Sequence, residues 1–184
     1  MNSPYMGRFK VTQQFKGKEH DGLDLVGLDS KEIHATATGE VVYANWENPS
    51  NHSQGFGQYV VIKSSGRYYH YGHLSEIRCR VGDQVKITDV IGIEGHTGYT
   101  IPDGPEGSHC HYCVRTSLRP GTFLNVCDIS GIPNVEGGIY DDGYRPKENE
   151  PDPIGTLTKK EHHLKVFIDD VLVDDHKFSG LLGD

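Results

Sequence analysis

Short runs of alternating apolar and polar residues dominate the first part of the chain. β-Branched and aromatic side chains recur in these runs, and glycine-rich or polar turn signals separate them, which is typical of short antiparallel strands. The pattern predicts strands over residues 39–44, 58–63, 67–72, 81–86, 90–93 and 110–115. A Ser-Ser-Gly sequence at 64–66 predicts a hairpin turn between two of them.

The other segments carry weaker patterns. Residues 1–19 read as an extended lead-in, and residues 98–108 contain two prolines and three glycines and predict a loop. Residues 134–153 are rich in Gly, Asp, Glu, Asn and Pro and predict a linker. Residues 163–178 alternate around Asp169-Asp170 and predict a terminal β-hairpin.

These elements predict an all-β fold. We expect an antiparallel β-sandwich or barrel-like core, followed by a small C-terminal β-hairpin. The main domain is expected over residues 1–120. Residues 121–184 are expected to be a linker and a C-terminal β extension that packs on the main domain or follows it.

Charge and composition exclude several classes of partner. The chain has 184 residues, a formal net charge of -8 and a pI of about 5.7. No basic stripe is present to displace counterions, so nucleic acid is not an expected partner. No apolar stretch is long enough to insert into a bilayer. The four cysteines form no recognisable disulfide framework, so we expect free thiols at Cys79, Cys110, Cys113 and Cys127.

Five residues in three short blocks carry the candidate chemistry. His20 and Asp24 lie in one block, His73 in the second, and His109 and His111 in the third. Together they supply two imidazoles and one carboxylate for a tetrahedral metal, with two imidazoles to spare. Three protein ligands with an open fourth position are the pattern of catalytic zinc. We therefore expect one Zn²⁺ per chain and hydrolase chemistry.

The spacing within the blocks allows this convergence. His20 and Asp24 are four residues apart, which aligns them on a helix, although Gly22 favours a loop or a strand entry. His109 and His111 would point to one side of a strand. One of the two can ligate the metal while the other shuttles a proton to or from water. A single histidine is more often a surface residue, and only the coincidence of three blocks favours the metal site.

At this point the sequence resembles the lysostaphin-type zinc endopeptidases of bacterial cell walls. The resemblance runs from about residue 14 to residue 115 and rests on seven blocks in order. They are His-Asp-Gly-Leu-Asp at 20–24, Ala-Thr-Ala-Thr-Gly-Glu-Val-Val-Tyr at 35–43, Gly-Phe-Gly-Gln-Tyr-Val-Val-Ile at 55–62, Tyr-Gly-His-Leu at 71–74, Val-Gly-Asp-Gln-Val at 81–85, Val-Ile-Gly at 90–92 and His-Cys-His at 109–111.

The resemblance implies a fold of the duplicated-hybrid-motif type with a substrate groove above the sheet. It implies that His20, Asp24 and His111 are zinc ligands, that His109 is the general base, and that His73 stabilises the transition state or assists proton transfer. The implied reaction is hydrolysis of a peptide bond in the crosslinks or stem peptides of peptidoglycan, the expected partner.

Two further residues are candidate substrate contacts. Tyr71 is expected on the strand face of His73, where an aromatic ring would line the groove, although strand packing explains it equally well. His96 lies in a turn near the expected groove and could touch substrate, although a solvated turn residue is the commoner role. His70 is expected on the strand face opposite His73.

The sequence departs from the pattern around the paired histidines. The family has an aliphatic residue where this chain has Cys110, an acidic residue where it has Cys113, and proline where it has Ser108. The Cys-x-x-Cys at 110–113 suggests redox or zinc-knuckle chemistry, but no second pair and no thioredoxin-like context support it. Cys110 should face the core, and Cys113 should lie on or near the histidine face.

Other functions compete with the peptidase. A non-catalytic scaffold or wall-binding module with the same fold is the main alternative, and the complete set of five residues disfavours it. A sugar-uptake phosphotransfer domain would not need His20 and Asp24 together. The first ten residues lack the apolar core of a signal peptide. We therefore expect an enzyme that reaches the cell wall as a phage endolysin or as a trimmed secreted protein.

Overall fold

The computed structural model describes residues 1–119 and 121–143, and the backbone of two further strands at 162–168 and 171–178. The chain divides into two compact units, Met1–Arg145 and Pro146–Asp184. The helices of the described part are all too short to cross a membrane.

The first unit is built almost entirely from strands. In chain order they are β1 Arg8–Gln13, β2 Leu23–Gly27, β3 Glu32–His34, β4 Gly39–Trp46, β5 Gln58–Ser64, β6 Arg67–Leu74, β7 Glu76–Ile77, β8 Gln84–Val85, β9 Val90–Ile93, β10 Cys110–Arg115, β11 Phe123–Leu124 and β12 Ile139–Asp141. One turn of 3-10 helix covers Pro105–Gly107, and a short helix, α1, covers Val126–Ser130.

Two antiparallel sheets organise these strands. The larger has the order β12-β1-β2-β10-β6-β5-β4-β8, with β11 also paired to β10, and the smaller has the order β3-β9-β7. The predicted all-β fold is confirmed. Within the described part of the chain the sheets stay open, so of the two expected forms the closed barrel is not formed.

Strand periodicity places the hydrophobic core on one side of the larger sheet. In β1, Phe9 and Val11 are fully buried while Arg8, Lys10 and Thr12 are exposed. Residues from both sheets join one hydrophobic cluster. The apolar positions of the alternating pattern are therefore the ones that face this core.

Most strand predictions are confirmed. The structure has strands where residues 39–44, 58–63, 67–72, 90–93 and 110–115 predicted them. The prediction for 81–86 is wrong in extent, because only Gln84–Val85 forms a strand. Gly82 has a φ of 96°, and the Asp83 side chain accepts a hydrogen bond from the Arg80 N–H at 2.8 Å, so the residues before Gln84 form a turn.

The segment after residue 120 contributes more to the first unit than expected. β12 lies within the predicted linker and pairs with β1, and α1 begins at an Asn125 cap whose side chain accepts from the Cys127 N–H. The compact unit continues to Arg145, beyond residue 120, and the boundary expected at residue 120 stays a prediction. The pairing partner of β12 is distant in sequence, so local composition could not reveal it.

The second unit contains the predicted hairpin. β13 at His162–Ile168 pairs antiparallel with β14 at Val171–Phe178. The turn expected at Asp169-Asp170 and the rest of the predicted linker lie outside the described residues.

Candidate metal centre

Two neighbouring strands bring together the side chains predicted as metal ligands. Asp24 lies in β2 and His111 lies opposite it in β10, while His20 immediately precedes β2. Asp24 Oδ1 lies 2.8 Å from His111 Nδ1 and 3.1 Å from His20 Nε2, and these two nitrogens are 3.2 Å apart. Three potential ligand atoms therefore converge on one point.

The local backbone decides which nitrogen His20 presents. Nδ1 of His20 donates to the carbonyl of Gln14 at 2.8 Å, which leaves Nε2 without a proton and directed at Asp24. His20 lies in a loop that enters β2, so the alternative of a helix carrying His20 and Asp24 is wrong. The hydrogen bond to Gln14 selects the tautomer that a metal ligand requires.

The three atoms fit a tetrahedral zinc site. Zinc bonds to nitrogen and oxygen are about 2.0–2.2 Å long, so neighbouring ligand atoms in a tetrahedron lie about 3.3 Å apart. The separations of 2.8 to 3.2 Å approach this value. Two neutral imidazoles and a carboxylate are also the donor set that zinc accepts in sites with an open fourth position.

The two remaining histidines lie at the edge of this cluster. His109 Nδ1 donates to the Gly107 carbonyl at 2.7 Å, and His73 Nδ1 donates to the Thr97 carbonyl at 2.8 Å. Each ring therefore keeps an unprotonated Nε2, and that of His109 lies 3.6 Å from Asp24 Oδ1. The two rings are adjacent, with centroids 4.6 Å apart, so a proton could pass to either.

The site keeps its carboxylate ionised and at least one imidazole neutral. Burial alone would raise the pKa of Asp24, but the adjacent His111 and His20 imidazoles hold that pKa well below its usual range. Burial, followed by the neighbouring His109, lowers the pKa of His73 to about 4. His73 is therefore uncharged at neutral pH, as a proton acceptor must be.

Groups outside the predicted set surround His111. Its Nε2 lies 3.3 Å from Asp21 Oδ1, and Asp21 Oδ2 pairs with Arg115 Nη2 at 2.6 Å. The ring of Phe56 stacks on the His111 ring at 5.2 Å, and a Cβ on Gly22 would lie 2.7 Å from His111 Nε2. Asp21 lies in the segment before β2 and His111 lies in β10, so no local pattern in the sequence could show this contact.

The structure places Tyr71 away from the groove. Its side chain is fully buried, its hydroxyl accepts a hydrogen bond from the Thr36 N–H at 2.9 Å, and its ring stacks on Tyr112. The expectation that Tyr71 shares the face of His73 is wrong, because His73 has a φ of 60° and its side chain leaves the core face. Tyr71 packs in the core and is not accessible to a substrate.

His96 lies beside the strand that carries the paired histidines. It is half-buried, and its Nδ1 lies 3.4 Å from Ser108 Oγ. Its neighbour Gly95 accepts a hydrogen bond from the His109 N–H at 2.9 Å. The substrate contact of His96 stays a prediction.

His70 occupies the same side of the sheet as the metal cluster. It pairs in register with Cys113 of β10, and its ring lies parallel to Tyr59 with centroids 6.2 Å apart. It is buried, and neither ring nitrogen has a hydrogen-bond partner in the described part of the chain. The expectation that His70 faces away from His73 is wrong for the same reason as for Tyr71.

The cysteines behave as free thiols. All four are unpaired in the described residues. Cys110 joins the hydrophobic core, as expected for the strand face opposite the paired histidines. Cys113 lies next to His111 and Arg115, on the histidine face.

Comparison with known proteins gives a consistent family. The sequence model of Peptidase family M23 matches residues 18–122, which include all five candidate residues. Among solved structures, the catalytic domain of the prophage-encoded M23 protein EnpA from Enterococcus faecalis superposes with a TM-score of 0.54 and 28% identity. That alignment covers 67% of this chain and 94% of the other.

Curated relatives are longer proteins. Glycyl-glycine endopeptidase ALE-1 of Staphylococcus capitis is 27% identical over 79% of this chain and 38% of its own length. Murein hydrolase activator NlpD of Salmonella dublin is 34% identical over 62% of this chain and 29% of its own length. The chain thus spans about a third of the length of these relatives.

Proposed function

The chain belongs to Peptidase family M23, and we propose that it is a zinc-dependent endopeptidase that cuts peptide bonds in the crosslinks or stem peptides of bacterial peptidoglycan. The similarity to glycyl-glycine endopeptidase ALE-1 supports peptide-bond hydrolysis, and the similarity to murein hydrolase activator NlpD supports action at the cell wall. One observation carries the proposal: His20 Nε2, Asp24 Oδ1 and His111 Nδ1 lie within 3.2 Å of one another, beside two histidines that present a free Nε2.

His20, Asp24 and His111 would hold the metal. A bound zinc supplies Lewis acidity and brings the pKa of water toward about 7. The carboxylate of Asp24 would offset part of the positive charge of the ion, and the imidazoles of His20 and His111 would complete a set of three protein ligands. Asp24 Oδ1 also lies 3.6 Å from His109 Nε2, so the ligand cluster and the base are adjacent.

His109 would act as the general base. Its Nδ1–H is held by the Gly107 carbonyl, so Nε2 is the nitrogen that takes a proton from the attacking water. The protonated ring can then return this proton to the departing amine.

His73 would support the charge that develops on the scissile carbonyl. Its ring is fixed by the Thr97 carbonyl and lies 4.6 Å from the His109 ring. Because His73 is neutral in the resting protein, its Nε2 can take over from His109 the proton that came from water. The protonated ring then donates a hydrogen bond to the developing oxyanion, before this proton passes to the departing amine.

Metal content and cell-wall hydrolysis test the proposal together. Purified protein is expected to hold about one zinc per chain and to release free amines from sacculi until a chelator is added. His20→Ala and His111→Ala should lose zinc and activity, whereas His109→Ala should keep most of the zinc and lose turnover. Mass spectrometry of the released ends would identify the bond that is cut.

A matched carboxylate provides the control. Asp24→Asn should lose zinc, whereas Asp128→Asn, in the exposed first turn of α1, should keep zinc and activity. Hydrolysis that persists in the His109→Ala variant would remove His109 as the base. Protein without zinc and without hydrolysis would overturn the peptidase proposal.

A second candidate is a non-catalytic murein-hydrolase activator or wall-binding module. The similarity to NlpD over 62% of this chain favours it. Stimulation of a separate murein hydrolase by wild-type protein and equally by the His109→Ala variant would support this role. The complete set of ligand and base residues favours the enzyme.

A further inference from the structure

We infer that Asp21, held by Arg115, is the residue that orients the metal ligand His111. This inference rests on the proposed zinc site and adds a carboxylate that is not one of the proposed metal ligands. Asp21 would be a positioning residue, because it acts through His111 and not on a substrate.

The geometry of His111 requires a partner at its outer nitrogen. Its Nδ1 lies 2.8 Å from Asp24 Oδ1 and 3.2 Å from His20 Nε2, so Nδ1 is the atom that would bind a metal. A metal bound at Nδ1 leaves the ring proton on Nε2, which is buried and makes no hydrogen bond of regular geometry in the described part of the chain. Asp21 Oδ1 lies 3.3 Å from that nitrogen and is the carboxylate oxygen within reach of its proton.

Arg115 fixes the direction of the Asp21 carboxylate. Its Nη2 pairs with Asp21 Oδ2 at 2.6 Å, which leaves Oδ1 facing His111. Its guanidinium lies over the Phe56 ring at 5.3 Å, and the Phe56 ring stacks on His111 at 5.2 Å. The imidazole is thus held at its edge by a carboxylate and on its face by an aromatic ring.

Cys113 lies closest to this arrangement but is a poorer acceptor. Its sulfur lies within 4.8 Å of the Asp21 and His111 atoms. A neutral thiol accepts hydrogen bonds only weakly. Asp21 is therefore the group that can hold the Nε2 proton, although it comes from the segment before β2 and not from β10.

Asp21, His111 and Cys113 together are also a candidate second metal site. Arg115 argues against this reading, because its guanidinium already pairs with Asp21 and lies beside Cys113. A cation placed among Asp21, His111 and Cys113 would face this fixed positive charge. The charge balance favours a hydrogen-bonded carboxylate over a second ion.

Zinc affinity and the solvent exchange of the His111 Nε2–H proton test the inference. Asp21→Ala is expected to weaken zinc binding about 10- to 100-fold, measured on the full chain by competition with a chelator. In the zinc-loaded protein, nitrogen NMR should show that the His111 Nε2–H proton exchanges with solvent faster in Asp21→Ala than in wild type. The control Glu19→Ala removes the same charge at an exposed position one residue before His20 and should leave both unchanged.

A compensating substitution separates positioning from general stability. Cys113→Glu in the Asp21→Ala background places a carboxylate beside His111 Nε2 and Arg115, and should recover at least part of the affinity. Urea unfolding shows whether each variant folds. If the double variant does not fold, the zinc affinity of the Asp21→Ala single variant tests the inference.

An unchanged zinc affinity and an unchanged exchange rate of the His111 Nε2–H proton in a folded Asp21→Ala variant would overturn the inference. Binding of a second zinc by wild type that Cys113→Ala abolishes would also overturn it. Neither readout needs hydrolysis. A wild-type protein that binds zinc but cuts no cell wall would therefore refute the proposed activity and leave the role of Asp21 testable.

Discussion

A single backbone angle turns His73 toward the metal cluster. In a regular strand, side chains two residues apart share a face, and His73 would follow Tyr71 into the core. The φ of 60° at His73 breaks this alternation. A non-glycine residue in the left-handed region costs about 1–2 kcal/mol, so the surrounding contacts must hold this conformation. Those contacts include the His73 N–H bond to the Phe56 carbonyl at 2.7 Å.

This strain should be measurable by truncation at residue 73. We expect His73→Gly to be more stable than His73→Ala by about 1 kcal/mol in urea unfolding, since glycine adopts positive φ without strain. The same pair at Lys63, an exposed position of β5, should show the opposite order. An alanine variant as stable as the glycine variant at residue 73 would mean that the left-handed conformation carries no strain.

At the scale of elements, one connection joins the strands that carry the histidines. Residues 95–98 follow β9 and approach β6 closely. The Thr97 carbonyl accepts from His73, and its hydroxyl donates to the Leu74 carbonyl at 2.8 Å and accepts from the Gln58 N–H at 2.9 Å. A Cβ on Gly57 would lie 2.3 Å from the Thr97 backbone. This connection therefore positions His73 without contributing a ligand.

Thr97→Val should separate positioning of His73 from metal binding. The isosteric change leaves the Gln58 N–H without its acceptor, and we expect a loss of about 1–3 kcal/mol in stability. Displacement of His73 should lower turnover by up to about 100-fold, while zinc content stays at the wild-type level. Thr38→Val removes a hydroxyl that accepts from the Ile87 N–H and serves as the control. Loss of zinc in Thr97→Val would contradict this separation.

At the scale of the whole molecule, the buried histidine His70 makes the stability of the fold depend on pH. Burial, followed by the positive charge of Arg115, lowers the pKa of His70 to about 3. The unfolded chain takes up this proton near pH 6.5, whereas the native protein does not. Stability from this residue is therefore fully present above pH 6.5 and is lost as the pH falls toward 3.

His70→Phe should reduce the acid sensitivity of the zinc-free protein. Each unit of pKa difference corresponds to about 1.4 kcal/mol of unfolding free energy. As the pH falls from 6.5 to 3, the unfolding free energy of the variant should therefore rise relative to that of wild type by about a few kcal/mol. Chemical unfolding at several pH values measures this difference, and exposed His52→Phe is the control. If the difference in unfolding free energy between His70→Phe and wild type does not change with pH, this account is refuted.

The identity and order of the candidate residues could be read from the sequence alone. Strand periodicity is local, so β4, β5, β6, β9 and β10 were predictable from alternation. The chemistry of His20, Asp24 and His111 is a property of the side chains, and the His-x-His spacing places two imidazoles on one strand face. β2 was harder to predict, because its nearly continuous burial removes the alternation.

Only the tertiary structure decided how these residues meet. The contact of Asp21 with His111 and the pairing of β12 with β1 each join segments that are distant in sequence. The core position of Tyr71, on the face opposite His73, depends on the unusual backbone angle at His73. Propensity and periodicity act over a few neighbouring residues and cannot encode such contacts. Contacts from other strands stabilise the strained conformation of His73, so the position of its side chain is a property of the assembled sheet.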